Sequence, residues 1–288
     1  MSSYVIFTDS ACDLPAATLK EWNVKSVNLT FHFDGETVQY DNDALSAAEF
    51  YGYMKQGKTA KTAAINTETF RKHFRRELEK GNDILYLGFS SGLSSTYSAG
   101  NTVARELKEE YPDRKILTVD TLSASTGEGL LVDLVKNRRD EGASVEEAAR
   151  YAESMRLNIC HWFTVDTLEY LKRGGRVSAT TAWIGDTLNI KPLMHVDNEG
   201  HLVGVRNVRG KKNAINGIAR KMKETALDLE KYPVYICNSD CKDTADMLAN
   251  SVKELCGANV EQITDIGPVI GAHTGPGTVA LFFVGKER

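Results

Sequence analysis

No apolar stretch in this sequence reaches the ~20 residues that a membrane-spanning helix needs. The N-terminus runs from Met-Ser-Ser directly into a strand-like YVIF, without the basic start and long apolar core of an export signal. Both absences predict no stable membrane insertion and a cytoplasmic location. Charge of one sign is also missing: 35 basic side chains stand against 39 acidic ones, for a net charge of −4. That balance gives no electrostatic reason to expect nucleic acid or an anionic membrane as the main partner. Cysteine is sparse. Cys12, Cys160, Cys237, Cys241 and Cys256 are odd in number and lack metal-type pairs, which argues against a disulfide framework and a zinc ribbon and fits reduced thiols. Repeats and low-complexity segments are absent as well. What is present is a chain of 288 residues, 42% of them hydrophobic, enough for one large domain or two ordinary ones around a well-buried core.

In the first half, short apolar runs at YVIF (4–7), SVNLTF (26–31), ILYLGF (84–89) and KILTVD (115–120) alternate with helical patterns at 15–22, 46–56, 67–80, 96–110, 124–140 and 144–157. Strands separated by helices predict a parallel sheet covered by helices on both faces. After about residue 158 the texture changes to HWFTV, KPLMHVDNEGHLVGV, VYICN, VEQITDIG and VALFFVG, accompanied by helical patterns at 211–230 and 242–256. Asp197-Asn198-Glu199-Gly200 reads as a hairpin turn between two of these runs. The expected fold is α/β: an N-terminal α/β domain, residues 1–157, and a C-terminal α+β domain, residues 158–288, whose sheet is largely antiparallel.

Chemistry is sought first in ILYLGFSSGLSSTYSAG (84–100), where a buried strand enters a serine-rich loop. A hydrolase elbow reads G-x-S-x-G, but Gly92-Leu93-Ser94-Ser95-Thr96 has threonine at its second glycine. The competing reading is an anion site, in which backbone N–H groups and hydroxyls at a helix start hold a carboxylate or phosphate. A simple helix cap at Ser94 or Ser95 is the plainest alternative. In YVIFTDSACDLP, an aspartyl phosphatase would need an acid where Ala11 stands, and Asp13 before Leu14-Pro15 reads as a helix cap. Asp9 and Ser10 are placed to line a cleft at the carboxyl end of the sheet.

Two glycine patterns fail as nucleotide motifs. Gly204 to Gly210 encloses five residues where a P-loop has four, and Lys212 stands where the magnesium-binding hydroxyl belongs. Gly127-Glu128-Gly129 lacks a third glycine and lies in a helical pattern. No ATP or dinucleotide site, metal site or other cofactor is therefore expected of this chain. YLKRGGRVS (170–178) sets Lys172, Arg173 and Arg176 around two glycines, either as a cationic turn that meets an anion or acidic partner, or as a solvated charged turn. GAHTGPGTVALFF (271–283) joins His273 and Thr274 to a Gly-Pro-Gly turn at a strand entry, a position from which a histidine can donate to a ligand.

TDSACDLP (8–15), KTAAIN (61–66), SSGLSSTYSA (90–99), VDTLEYLKRGGRVS (165–178), IKPLMHVDNEG (190–200) and GAHTGPGTVAL (271–281) together resemble the DegV family of bacterial fatty-acid-binding proteins, in order and across essentially the whole chain. The resemblance implies a lipid-binding carrier rather than an enzyme, with no catalytic residues. One long-chain fatty acid would lie between two domains, its carboxyl presented to a separate ATP-dependent fatty acid kinase subunit that forms an acyl phosphate for phospholipid synthesis. By position, Thr62, Ser94 and His273 match carboxyl contacts. Asp9, Ser10, Ser95, Thr96 and Thr274 would line the cleft, and Arg173, Arg176 and Arg209 would meet phosphate or the kinase. Two departures stand out: Ala63-Ala64-Ile65 replaces the family's Ser-Gln-Pro, and Ser95 replaces a glycine. The rival activity is a serine hydrolase acting on an acyl ester or thioester through Ser94 and His273, and a sugar- or organic-acid-binding module is a third reading.

Overall fold

The computed structural model describes residues 3–177 and 189–288; Ser178, the last residue of YLKRGGRVS, lies outside the described residues. The first half runs through β1 (Tyr4–Asp9), a 3₁₀ turn (Ser10–Cys12), α1 (Ala16–Glu21), β2 (Val24–Val27), β3 (Thr30–Phe33) and β4 (Tyr40–Asp41). It continues with α2 (Ala47–Lys55), β5 (Ala60–Ala63), α3 (Thr67–Leu78), β6 (Asp83–Gly88), α4 (Thr96–Glu110), β7 (Ile116–Asp120), α5 (Thr126–Asp140) and α6 (Val145–Met155). The second half holds β8 (Ile159–Thr164), α7 (Glu169–Arg173), β9 (Ile190–Val196), β10 (Leu202–Arg209) and α8 (Lys211–Thr225). It closes with β11 (Tyr235–Asn238), α9 (Lys242–Cys256), β12 (Gln262–Asp265), α10 (Pro268–Thr274) and β13 (Val279–Val284).

Local chemistry explains where several helices begin. Ser46 with Glu49 and Ser144 with Glu147 close reciprocal capping boxes on α2 and α6, while the Asn66 side chain accepts from Thr69 N–H at the start of α3. Asp13 departs from the expected helix cap. It ends the 3₁₀ turn in the left-handed region (φ 51°), α1 starts after Pro15 with no side-chain cap, and the Asp13 carboxylate turns inward instead.

The described residues form three sheets. The parallel sheet has the order β2-β1-β6-β7, and the second half forms a six-stranded sheet, β10-β9-β8-β13-β11-β12, in which only β11 and β12 pair in parallel. The hairpin expected at 197–200 joins β9 to β10, with Gly200 N–H donating to Asp197 C=O. The third, antiparallel sheet β4-β3-β5 was not expected. The apolar run at 26–31 reads as one strand but breaks at Asn28-Leu29: Ser10 Oγ accepts from Leu29 N–H, Asn42 N–H donates to Leu29 C=O, and the chain leaves one sheet for another.

α5 sits between the parallel and six-stranded sheets, touching β6 on one side and β8, β11 and β13 on the other. That position explains why every residue from Thr126 to Val135 is buried. A single apolar core containing Leu85, Leu130, Leu134, Phe163 and Phe282 runs through α5 from one sheet to the other. In the opposite sense, α10 leaves the second half and packs on α2, β3 and β5 of the first. Tyr51 Oη fixes this crossing by donating to Ile266 C=O at 2.9 Å.

Candidate functional site

A cavity of about 250 Å³ lies where these elements meet. Its walls come from both halves of the chain and are mainly apolar, including Leu29, Phe89, Phe163, Ile270, Ala280 and Phe282. Apolar walls of this kind favour a hydrocarbon ligand, with a few polar groups left to set its orientation. Thr62, Ser94, Ser95, Arg176, His273 and Thr274 are among the polar lining residues.

Thr62 stands on β5, and His273 occupies the last turn of α10 rather than the extended strand entry expected from the sequence. Their side chains meet at 2.8 Å, Thr62 Oγ1 to His273 Nε2. The other ring nitrogen, Nδ1, is buried against Gly174, where a Cβ would lie 2.2 Å from it, and has no hydrogen-bond partner among the described residues. Burial, then the cations of Arg176 and Arg173, push the His273 pKa down to about 4, so the imidazole is neutral near pH 7.

Ser94 belongs to the loop between β6 and α4. Its Oγ donates to Thr96 Oγ1 at 2.9 Å and accepts from Thr96 N–H at 3.2 Å, which makes it a local turn-former just ahead of the helix. A hydrolytic triad would need a bond from Ser94 to a histidine and an acid behind that ring. Instead Ser94 is engaged by Thr96, and His273 by Thr62. Thr96 is buried and also receives Ile65 N–H at 3.4 Å, so it links the Thr62 strand to the Ser94 loop without lining the cavity. Ser95 is exposed at the start of α4 and makes no side-chain cap bond.

Arg176 is half-buried, and burial lowers its pKa. Its guanidinium donates from Nε to Leu93 C=O at 3.1 Å and from Nη1 to Gly174 C=O at 2.6 Å, with no carboxylate paired to it among the described residues. A cation held by neutral carbonyls beside the cavity is available to an anionic ligand group. Arg173 is exposed and lies over the Tyr170 ring, 4.8 Å from its centroid, and Arg209 is exposed at the end of β10; neither lines the cavity.

Asp9 and Ser10 also lie behind the cavity wall rather than on it. Asp9 is fully buried and accepts from Ala11 N–H, Tyr86 Oη and Phe89 N–H; burial raises its pKa to about 6 against those donors. Sequence reasoning missed α10 as a helix. Pro268 directly after Gly267 was the available signal for its start, but seven residues carry little periodicity. Among the described residues no group of three or more His, Cys, Asp or Glu side chains is arranged to hold a metal ion, and no helix is long and apolar enough to cross a membrane.

A family model described as "Uncharacterised protein, DegV family" matches residues 3–286. The chain is 37% identical over 289 residues to a DegV domain-containing protein of Clostridium perfringens, covering 100% of this chain and 99% of the relative. Among solved structures it is similar to a fatty-acid-binding DegV family protein from Thermus thermophilus, with TM-score 0.85, 30% identity and coverage of 97% of this chain and 98% of that one. It is also similar to a stearic acid-binding protein from Eubacterium ventriosum, with TM-score 0.86, 25% identity and 98% of each chain covered. A match of this extent, with the fold described above shared end to end, makes the chain a member of the DegV family.

Proposed function

We propose that the chain is a cytoplasmic carrier that binds one long-chain fatty acid between domains 1–157 and 158–288. The carboxyl is held by Thr62, Ser94 and His273. It is presented to a separate ATP-dependent kinase subunit, which forms an acyl phosphate for phospholipid synthesis. The observation that carries this reading is an apolar cavity bearing hydroxyls, a neutral imidazole and a guanidinium that has no carboxylate partner among the described residues. The similar proteins from Thermus thermophilus and Eubacterium ventriosum, described as binding fatty acid and stearic acid, support the ligand class.

Energetics support a division of labour. Burying about 15 methylenes stabilises the complex by roughly 12 kcal/mol at ~0.8 kcal/mol each, before immobilisation costs. Hydrogen bonds to a carboxylate add about 1.5 to 3 kcal/mol each but must first offset its desolvation. The tail supplies affinity, and the polar residues set which end is offered. Arg176 beside the cavity, with Arg173 and Arg209 on the surface, supplies contacts for the incoming phosphate or the kinase. The engagement of Ser94 by Thr96 and of His273 by Thr62 favours a holder over a hydrolase.

Native mass spectrometry followed by organic extraction tests the proposal. One fatty acid per chain, released on denaturation, is the expected result. A chain with no extractable fatty acid that also fails to take up palmitate or oleate refutes it.

A further inference from the structure

The segment Asp9-Ser10-Ala11-Cys12-Asp13 lines no part of the cavity, yet Asp9, Ser10 and Asp13 each accept a hydrogen bond from a different segment of its wall. Asp9 Oδ2 accepts from Phe89 N–H at 3.0 Å, at the entrance to the Ser94 loop. Ser10 Oγ accepts from Leu29 N–H at 2.9 Å, between β2 and β3. Asp13 Oδ2 accepts from Ser125 Oγ at 2.5 Å, where α5 begins, and its Oδ1 accepts from Gly267 N–H at 2.9 Å, where α10 begins.

Asn42 extends the same arrangement. Its Nδ2 donates to Ser10 C=O at 3.2 Å, and its Oδ1 accepts from Val269 N–H at 2.8 Å in the first turn of α10. A Cβ on Gly267 would lie 2.8 Å from both Asp13 Oδ1 and Asn42 Nδ2, so the helix start is seated tightly on these two side chains. α10 is a single rigid element of about 10 Å at 1.5 Å per residue, with Gly267 at one end and His273 in its last turn. A change at its start is therefore delivered to the imidazole.

We infer that Asp9, Ser10 and Asp13 are positioning residues: the turn after β1 is a buried hub that fixes the Ser94 loop and the His273 helix relative to one another, with Asp13 setting His273. The inference rests on the reading of Thr62, Ser94 and His273 as the carboxyl-binding end, and it gives the TDSACD stretch a role without ligand contact. Charge at Asp13 is not required for it. An asparagine there can accept from Gly267 N–H through its oxygen and donate to Ser125 Oγ through its amide.

The test uses the delipidated full chain and follows the His273 ring by nitrogen-15 NMR, with His273→Ala identifying its signals among the six histidines. Asp13→Ala is expected to move the His273 titration upward by about one unit, toward the ordinary histidine value, and to weaken the Thr62 hydrogen bond. Asp13→Asn is expected to leave both as in the parent. Tyr235→Phe removes a buried 2.7 Å bond to Asp133 outside the hub and serves as the stability control.

A folded Asp13→Ala chain with an unchanged His273, or an equal movement in Tyr235→Phe, overturns the inference. Should Asp13→Ala fail to fold, Asn42→Ala decides: movement of His273 in the same direction is expected, and a parent-like signal overturns it. Carboxyl-13C palmitate gives the second readout, a shifted carboxyl resonance in Asp13→Ala with palmitate still bound. Failure of the parent chain to take up palmitate refutes the fatty-acid reading, while the histidine measurement, made without lipid, still decides the positioning role.

Discussion

Thr62 Oγ1 and His273 Nε2 lie 2.8 Å apart although 211 positions separate them in the chain. The pair joins β5 of the first half to a helix that crosses over from the second. If the two residues orient a carboxyl whose affinity comes from its tail, their loss should separate binding from presentation.

His273→Ala and Ser94→Ala are each expected to retain most of the co-purifying fatty acid while acyl-phosphate formation with the kinase falls at least about tenfold, the equivalent of one charge-assisted hydrogen bond. Lipid content is read by extraction and phosphorylation by transfer from labelled ATP. Complete loss of lipid from a folded variant would contradict the division between tail affinity and headgroup orientation.

How much of this was legible beforehand depended on whether the determining contacts are local. Capped helices such as α2 and α6 were readable because Ser46/Glu49 and Ser144/Glu147 act within one turn, and β8 to β13 were readable as apolar runs. The break at Leu29 was not, because the group that takes its N–H is Ser10, nineteen positions away. Ser94 and His273 stood out from their own loop and turn segments, whereas Thr62 entered only by its match to a family pattern, and no spacing rule foretold that Thr62 and His273 would be bonded. Asp13 looked like a cap because its sequence neighbours fit one. Its partners, Ser125 and Gly267, are remote, and burial rather than helix geometry decides its orientation.

Asp13 gives stability a pH dependence. Desolvation, opposed by its bonds from Ser125 and Gly267, raises its pKa to about 7 in the folded chain, against 3.8 when unperturbed. Between those values the native state binds more protons than the unfolded chain, so this contribution is complete below pH ~4 and is lost as pH rises through ~7. His273 runs the other way: its lowered pKa makes the unfolded chain bind more protons, and its contribution is lost as pH falls below ~6.5. Asp13→Asn isolates the first effect. Its stability relative to the parent should rise between pH 5 and 7 by an amount on the order of 1 to 3 kcal/mol and level off above. Urea midpoints at each pH measure it, and parallel curves for the two proteins would show that Asp13 titrates normally.

Ala280 lines the cavity from β13, where it faces Phe163 and Cys237 across the neighbouring strands. Ala280→Leu places three more carbons in the space assigned to the acyl tail. The expected outcome is bound fatty acid with a shorter mean chain length, at a stability cost of about 1 to 3 kcal/mol if the walls cannot yield. Gas chromatography of the extracted acids gives the distribution. An unchanged chain-length profile at full occupancy would place the tail away from β13.

α5 lies between the two large sheets and packs on β8 and β13, whose side chains also line the cavity. Gly127 lies at that contact: a Cβ there would sit 2.2 Å from His161 Nε2 and 2.7 Å from Phe282 Cδ1. His161 is 2% exposed and tied through Nδ1 to Ile159 C=O at 2.9 Å, so its ring has little room to retreat. Gly127→Ala should therefore destabilise the chain by about 1 to 3 kcal/mol or more despite alanine's better helix propensity. Because His161 and Phe282 both line the cavity, it should also lower lipid occupancy. Gly52 in α2 provides the contrast, since a Cβ there meets nothing within 4 Å and Gly52→Ala should stabilise by about 0.5 to 1 kcal/mol with lipid unchanged. Thermal melts with lipid extraction on both variants test the pair. Equal and opposite stability changes without any loss of lipid from Gly127→Ala would mean that α5 can shift without closing the space between the sheets.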